Sequence, residues 1–238
     1  MIVGNGLLAR AFQDGYAQRE DVVIFASGVS NSSEVNPAAF ERERVLLNRT
    51  LASKPACLVY FSTCSVDDPE RGGTPYVRHK LEMEGLVSQA DRWFVFRLPQ
   101  VVGQSENQNT LTNNLYRSIL GGQTIPVWRH ARRYLVDVDD VRRISDGLIS
   151  RGLHVNEVVN IAPRRSVSID ELLDVFERVT GRTAHRECYD KGASYEIQTP
   201  VLDELGDEAR ALLDAGYSEA LVRKYYSPVA PGDEPRGT

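Results

Sequence analysis

At 238 residues, 42% hydrophobic and 26% charged, the chain can bury one sizeable core, or a core domain carrying a cap built from insertions. Its net charge of −5 and isoelectric point near 5.5 argue against nucleic acid as a partner, because phosphate binding draws on a basic surface; any anionic ligand must meet a local basic patch. Cys57, Cys64 and Cys188 are too few and too scattered for a disulfide framework or a metal site, no stretch approaches the ~20 apolar residues of a membrane span, and no charged leader precedes Gly4. The expected setting is therefore the cytoplasm, with no membrane and no metal.

In chain order, Met1 to Gly4 is a very short strand that runs into Gly4-Asn5-Gly6-Leu7-Leu8-Ala9 and an apolar helix with Ala11 and Phe12. Strand, glycine turn and helix in this order let a pyrophosphate approach backbone N–H groups. A second strand follows over Asp21–Gly28, ending in Ala26, Ser27 and Gly28. Asn36-Pro37 opens a helix to about Ala52, with Pro at a tolerated first position and Phe40, Leu47 and Leu51 recurring on one side.

The chemistry is expected between Cys57 and Gln89. Strand 57–62 deposits Ser62, Thr63 and Ser65 at its carboxyl end, where open α/β sheets hold their ligands. The following helix, 76–90, carries Tyr76 and Lys80 four residues apart and so on one face. A phenol with a pKa near ~10 is a poor acid–base group at neutral pH, but an ammonium close by favours the phenolate and lowers that value. Tyr76 and Lys80 facing a strand-end hydroxyl make a proton-transfer device for a carbinol or carbonyl.

Trp93–Leu98 is the next buried strand, leading through Pro99-Gln100-Val101-Val102-Gly103 into a polar segment. A helix is expected over Asn109–Leu120, closed by Gly121-Gly122. Trp128-Arg129-His130-Ala131-Arg132-Arg133 reads either as a phosphate clamp, through bidentate guanidinium contacts, or as a solvated hairpin tip. Asp139-Asp140 starts a helix that ends at Gly152, and Val158–Ile161 is a last strand. Ser168-Ile169-Asp170-Glu171 is a capping box opening a helix whose apolar face (Ile169, Leu172, Leu173, Phe176, Val179) is core, with Gly181 as its C-cap. Leu202–Tyr226 reads as one or two helices, and residues 227–238 as a loose tail.

The run Phe61-Ser62-Thr63-Cys64-Ser65-Val66 with Tyr76-Val77-Arg78-His79-Lys80 resembles the Ser/Thr…Tyr-x-x-x-Lys site of the extended short-chain dehydrogenase/reductases, the NAD-dependent epimerase/dehydratase group. Further matches follow in order: Gly4–Ala9, Arg97–Gly103 and Arg133–Val141. The resemblance covers about residues 1–180. It implies an α/β fold, a Rossmann-like doubly wound parallel sheet over residues 1–106 to which the chain returns at about 134–165, with a small C-terminal substrate cap formed mainly by 107–226. By the same resemblance the strand at 21–28 looks like the family's fourth, so its second and third strands are missing. The acidic residue that would bind the adenosine ribose then has no counterpart, and the sheet is shortened on the adenine side.

The resemblance implies NAD or NADP as cofactor and a nucleotide sugar as substrate. Tyr76 would transfer the hydroxyl proton, Lys80 would lower its pKa and hold the nicotinamide ribose, and Thr63, aided by Ser62 or Ser65, would hydrogen-bond the reacting oxygen. Cofactor contacts would come from Gly4, Asn5, Gly6, Leu7, Leu8, Ala26, Ser27, Gly28, Ser62, Lys80, Leu98 and Pro99, and substrate contacts from Ser65, Gln100, Val101, Arg129, Arg133 and Asp137. Cys64-Ser65 stand where the family's dehydratases carry Asp-Glu, which disfavours dehydration and leaves ketoreduction, favoured, or epimerisation. Helices 37–52 and 76–90 would form a homodimer interface. The alternative is a relative that has lost redox chemistry and only binds a nucleotide or sugar nucleotide, as a sensor or assembly partner.

Overall fold

A computed structural model describes residues 1–105, 107–108 and 110–227. The main body is built in chain order from β1 (Ile2–Val3), α1 (Leu7–Ala11), α2 (Gln13–Tyr16), β2 (Val23–Phe25), α3 (Pro37–Ala52), β3 (Leu58–Thr63), α4 (Pro75–Val87) and β4 (Trp93–Leu98). The chain then leaves through β5 (Gln100–Val102), α5 (Leu111–Leu120), β6 (Thr124–Trp128), β7 (Arg132–Arg133) and β8 (Leu135–Asp137). It returns by α6 (Val138–Arg151) to β9 (Val158–Asn160). After that come β10 (Val167–Ser168), α7 (Ile169–Thr180), β11 (His185–Tyr189), α8 (Val201–Leu205), α9 (Arg210–Leu213) and α10 (Tyr217–Tyr226).

Five strands form one parallel sheet in the order β1-β2-β3-β4-β9. β3 is buried along its whole length, as the centre of a parallel sheet covered on both faces requires. Alternate residues point to opposite faces, and the helices divide accordingly. Phe12, Tyr16, Val141, Ile144 and Leu148 pack with Val59, Phe61, Phe94 and Phe96 on one side. Leu47, Met83 and Val87 pack with Val23, Phe25, Leu58, Tyr60 and Val95 on the other.

This division carries a topological consequence. The steps from β1 to β2 and from β2 to β3 run the same way across the sheet, yet their helices cross on opposite faces. The two connections must therefore differ in hand, so one is left-handed, which is rare for parallel strands. In a doubly wound sheet the first strand has neighbours on both sides and its helix covers a neighbour on the far side. Here β1 is the edge strand and β2 lies directly beside it, the arrangement left when a second and third strand are taken out while the first helix keeps its face. The sheet is shortened as the sequence leads one to expect.

Local signals act as expected in several places. Asn36 caps α3 by accepting from the Ala38 amide, and Ser168 and Glu171 make the reciprocal capping box of α7, which ends at Gly181 with φ 65°. Others need correction. The segment 128–133 is not a hairpin tip, because β6 pairs in parallel with β11 and β7 pairs antiparallel with β10, so the turn joins two small sheets. Val158–Asn160 is not the last strand: β10 has only two residues, and β11 is mostly exposed and lacks apolar alternation. The cap has its own core, in which Leu115, Ile119, Ile125, Phe176, Leu221 and Val222 meet. Val201, Leu202, Leu205, Leu212 and Tyr217, expected with the cap, pack on the main core instead. The tail expected at 227–238 lies, beyond Ser227, outside the described residues. Among the described residues no helix is long and apolar enough to cross a membrane.

Candidate active site

The carboxyl ends of β1 to β4 open into a cavity of about 1170 Å³. At one end is the glycine turn. Gly4 has φ 129°, and a Cβ there would stand 2.5 Å from the Ala26 carbonyl oxygen, so glycine is required where the chain runs against the end of β2. Gly6 faces open space, and no side chain caps α1. Asn5, Gly6, Leu7, Leu8, Ala26, Ser27 and Gly28 line the cavity, with Gly4 behind them.

Thr63 ends β3, and its hydroxyl accepts a hydrogen bond from the Ser65 amide at 3.0 Å. The Tyr76 phenol, buried on α4, lies within electrostatic reach of the same residue. Burial pushes the Tyr76 pKa up to about 12, against the pull of Thr63. The expected coupling of Tyr76 to Lys80 is thus corrected: the phenol keeps its proton, and the Lys80 ammonium is engaged elsewhere.

That engagement is a buried cluster. Lys80 Nζ donates to the Tyr60 hydroxyl at 2.7 Å and to Glu43 Oε1 at 3.2 Å, and it lies 4.5 Å from the centre of the Tyr60 ring. Tyr60 donates to Glu43 Oε1 at 2.6 Å, while Glu43 Oε2 meets His79 Nε2 at 2.9 Å and the Val29 amide at 2.7 Å. Burial raises the Glu43 pKa, but the Lys80 ammonium and the hydrogen bonds from His79, Tyr60 and Val29 outweigh it and hold the carboxyl at about 2. Burial pushes the Lys80 ammonium down, and Glu43 opposes it. A Cβ on Gly28 would stand 2.8 Å from Lys80 Nζ and 2.9 Å from Glu43 Oε1, so the close fit of this cluster explains the glycine. The apolar pattern of α3 does not single out Glu43, which is buried at 0% exposure among the sheet-facing residues. The signal was there: Glu43 stands one turn before Leu47, on the sheet-facing side, where a carboxylate demands a partner.

Other expected residues divide. Ser65, Leu98, Pro99, Gln100, Val101 and Arg133 line the cavity. Ser62 reaches its wall, but its hydroxyl donates to Glu84 at 2.5 Å, and Glu84 in turn holds Arg97; Ser62 is therefore not a second donor to a reacting oxygen. Arg129 is exposed on the turn after β6 and only its amide is engaged, by Tyr189. Asp137 caps α6, and its carboxylate accepts from Lys224 and Tyr225 at 2.7 Å each. Arg129 and Asp137 do not reach the cavity. Tyr134 and Tyr195, Arg10, Arg42 and Arg71, and the Ser30–Ser33 loop do, without having been singled out. Among the described residues the wall thus carries Arg10, Arg42, Arg71, Lys80 and Arg133 against one carboxylate, Asp68, an excess of positive charge that suits a polyanion in an acidic protein.

No protein-family model matches the chain, and no curated protein matches it in sequence. Solved structures do. It is similar to a UDP-N-acetylglucosamine 4-epimerase from Methanobrevibacter ruminantium at TM-score 0.68 and 16% identity, over 86% of this chain and 74% of that one. A dTDP-glucose 4,6-dehydratase from Bacillus anthracis in complex with NAD gives 0.65 and 17%, over 86% and 70%. RMD from Pseudomonas aeruginosa complexed with NADPH gives 0.69 and 17%, over 94% and 97%. The fold is that of the NAD-dependent epimerases and dehydratases.

Proposed function

We propose that the chain is an NAD(P)-dependent oxidoreductase of the extended short-chain dehydrogenase/reductase type that reduces the keto group of a nucleotide-activated sugar. The observation that carries this reading is the convergence of Thr63, Tyr76 and Lys80 on one cavity with the glycine turn. The cavity fits the cofactor's diphosphate and nicotinamide ribose: the open face at Gly6 and the uncapped start of α1 leave backbone N–H groups for such a group. Bound nicotinamide supplies the hydride. Thr63 would orient the carbonyl oxygen, Tyr76 would give it a proton, and Lys80, held by Tyr60 and Glu43, would offer its remaining N–H to the ribose hydroxyls. A phenol that keeps its proton has one to give to the alkoxide that hydride addition forms, a stronger base than phenolate, and lacks the phenolate that carbinol oxidation would need. Arg133, Ser65, Gln100 and Val101, with Tyr134 and Tyr195, face the sugar nucleotide.

Dehydration is disfavoured. Cys64 is fully buried with its thiol pushed far up by burial, and the one wall carboxylate among the described residues, Asp68, is taken by the Glu70 amide and by Arg71. The test is consumption of reduced NAD(P)H that depends on a nucleotide keto-sugar; no dependence on any such sugar would overturn the reading. The edge position of β1 favours a second reading, a binder without redox chemistry, because it strips contacts from the adenosine half.

Loss of the ribose carboxylate and of one adenine wall removes about 2–4 kcal/mol of interaction, or two to three decades in affinity. The dinucleotide is therefore expected at micromolar or weaker affinity and should be lost on dialysis; stoichiometric nucleotide surviving extensive dialysis would contradict this and favour epimerisation. α3 and α4 pack together and leave Val45 and Leu81 exposed, a face for a two-fold homodimer. Light scattering should give about twice the 26.6 kDa of one chain, and a monomer mass at micromolar concentration would count against it.

A further inference from the structure

We propose that the cavity selects a dinucleotide carrying a 2′-phosphate, NADP(H) over NAD(H), and that Arg10 and Arg42 are the selecting residues. The proposal rests on the dinucleotide reading above and adds to it the identity of the adenosine half. The first observation is what the β1 side lacks. β1 is the edge of the sheet, so no neighbouring strand end supplies the carboxylate that accepts from a free ribose diol. Among the described residues the wall carries one carboxylate, Asp68, which belongs to the loop after β3, beside Arg71 and within electrostatic reach of Tyr195.

The second observation is the state of the wall cations. Lys80 is neutralised by Glu43. Arg71 reaches Ser32 at 2.8 Å and approaches Asp68 at 3.9 Å, and Arg133 donates to the Arg132 carbonyl at 2.8 Å. Arg10 and Arg42 both line the cavity and are exposed, and neither has a hydrogen-bond or ion-pair partner among the described residues. Elsewhere in this chain guanidinium groups are commonly paired, as Arg44 is with Glu82 and Arg186 with Asp174. Two unpaired guanidinium groups on one cavity wall leave their counter-charge to the ligand.

Their placement names the part of the ligand. Arg10 stands one turn beyond Gly6 on α1, and Arg42 rises from α3, which follows the loop Ser30-Asn31-Ser32-Ser33; those four residues line the same cavity. Hydroxyl, amide and guanidinium donors, with no acceptor carboxylate beside them among the described residues, suit a phosphate dianion, which a guanidinium meets with two parallel hydrogen bonds. A ribose diol would find no acceptor of comparable strength there. The diphosphate is common to both cofactors and cannot account for a preference between them, so the preference isolates the extra phosphate.

The experiment is titration of the full-length protein with NADPH and with NADH, followed by nicotinamide fluorescence, repeated for Arg10→Ala and Arg42→Ala. Both side chains are exposed, so the variants should fold, which circular dichroism checks. NADPH should bind at least about tenfold tighter than NADH, and each variant should lose NADPH affinity severalfold while leaving NADH unchanged. Equal or tighter binding of NADH, or a preference that survives both substitutions, would overturn the assignment of the phosphate while leaving the dinucleotide reading intact. Absence of binding by either cofactor up to millimolar concentration would overturn both.

Discussion

Tyr76→Phe should lower turnover with a nucleotide keto-sugar by roughly 10²–10⁴-fold, the usual worth of a positioned acid. One hydroxyl is lost and the ring stays, so the packing of Tyr76 with Val29 and Val77 is kept and folding is unaffected. The substitution should leave cofactor affinity near wild type, because the phenol acts on the reacting oxygen. Its loss should also remove any alkaline limb that reflects deprotonation of a phenol held at about 12. Turnover within a few-fold of wild type would take Tyr76 out of the mechanism.

Glu43→Gln should cost about 3–5 kcal/mol of stability, the usual result of removing one partner of a buried ion pair. The amide cannot neutralise Lys80, which is fully buried with Tyr60 as its other contact. The acid dependence gives an independent measure. The Glu43 carboxyl has a folded pKa of about 2 against an ordinary 4.5, so its pairing contributes about 3 kcal/mol at neutral pH. Because the folded value is the lower one, that contribution is present above 4.5 and lost as pH falls toward 2. Urea denaturation at pH 7 and at pH 3 should show a gap between wild type and variant that narrows in acid. A gap below 1 kcal/mol at pH 7, or one that widens in acid, would contradict the charge assignment. Glu43→Gln combined with Lys80→Met should recover most of the loss, since it leaves no buried charge.

Much of this was legible because it is local. The caps at Asn36 and Ser168, the αL glycines at Gly152 and Gly181, and the apolar runs of β3 and β4 are each fixed by neighbours within a few residues. The order of motifs placed the glycine turn, Thr63, Tyr76 and Lys80 at one cavity. What escaped was set by partners distant in sequence. Lys80 was expected to act on Tyr76, four residues away, but its charge is claimed by Glu43, thirty-seven residues back. Asp137 was expected to touch substrate, yet α10 supplies Lys224 and Tyr225 to its carboxylate. Tyr195 reaches the wall from a stretch with no apolar periodicity, and β11 forms there because β6 offers an edge to pair with.

The central claim is that this cavity moves a hydride to a sugar carbonyl while Tyr76 gives the proton. The most direct measurement uses NADPH deuterated at the transferable nicotinamide hydrogen, incubated with the protein and a panel of nucleotide keto-sugars, with the products read by mass spectrometry. A reduced sugar nucleotide bearing one deuterium on the new carbinol carbon is expected. Under the same conditions Tyr76→Phe should give roughly a hundredth of that label or less. Unlabelled product, or no reduction of any keto-sugar by protein that binds NADPH to saturation, would contradict it.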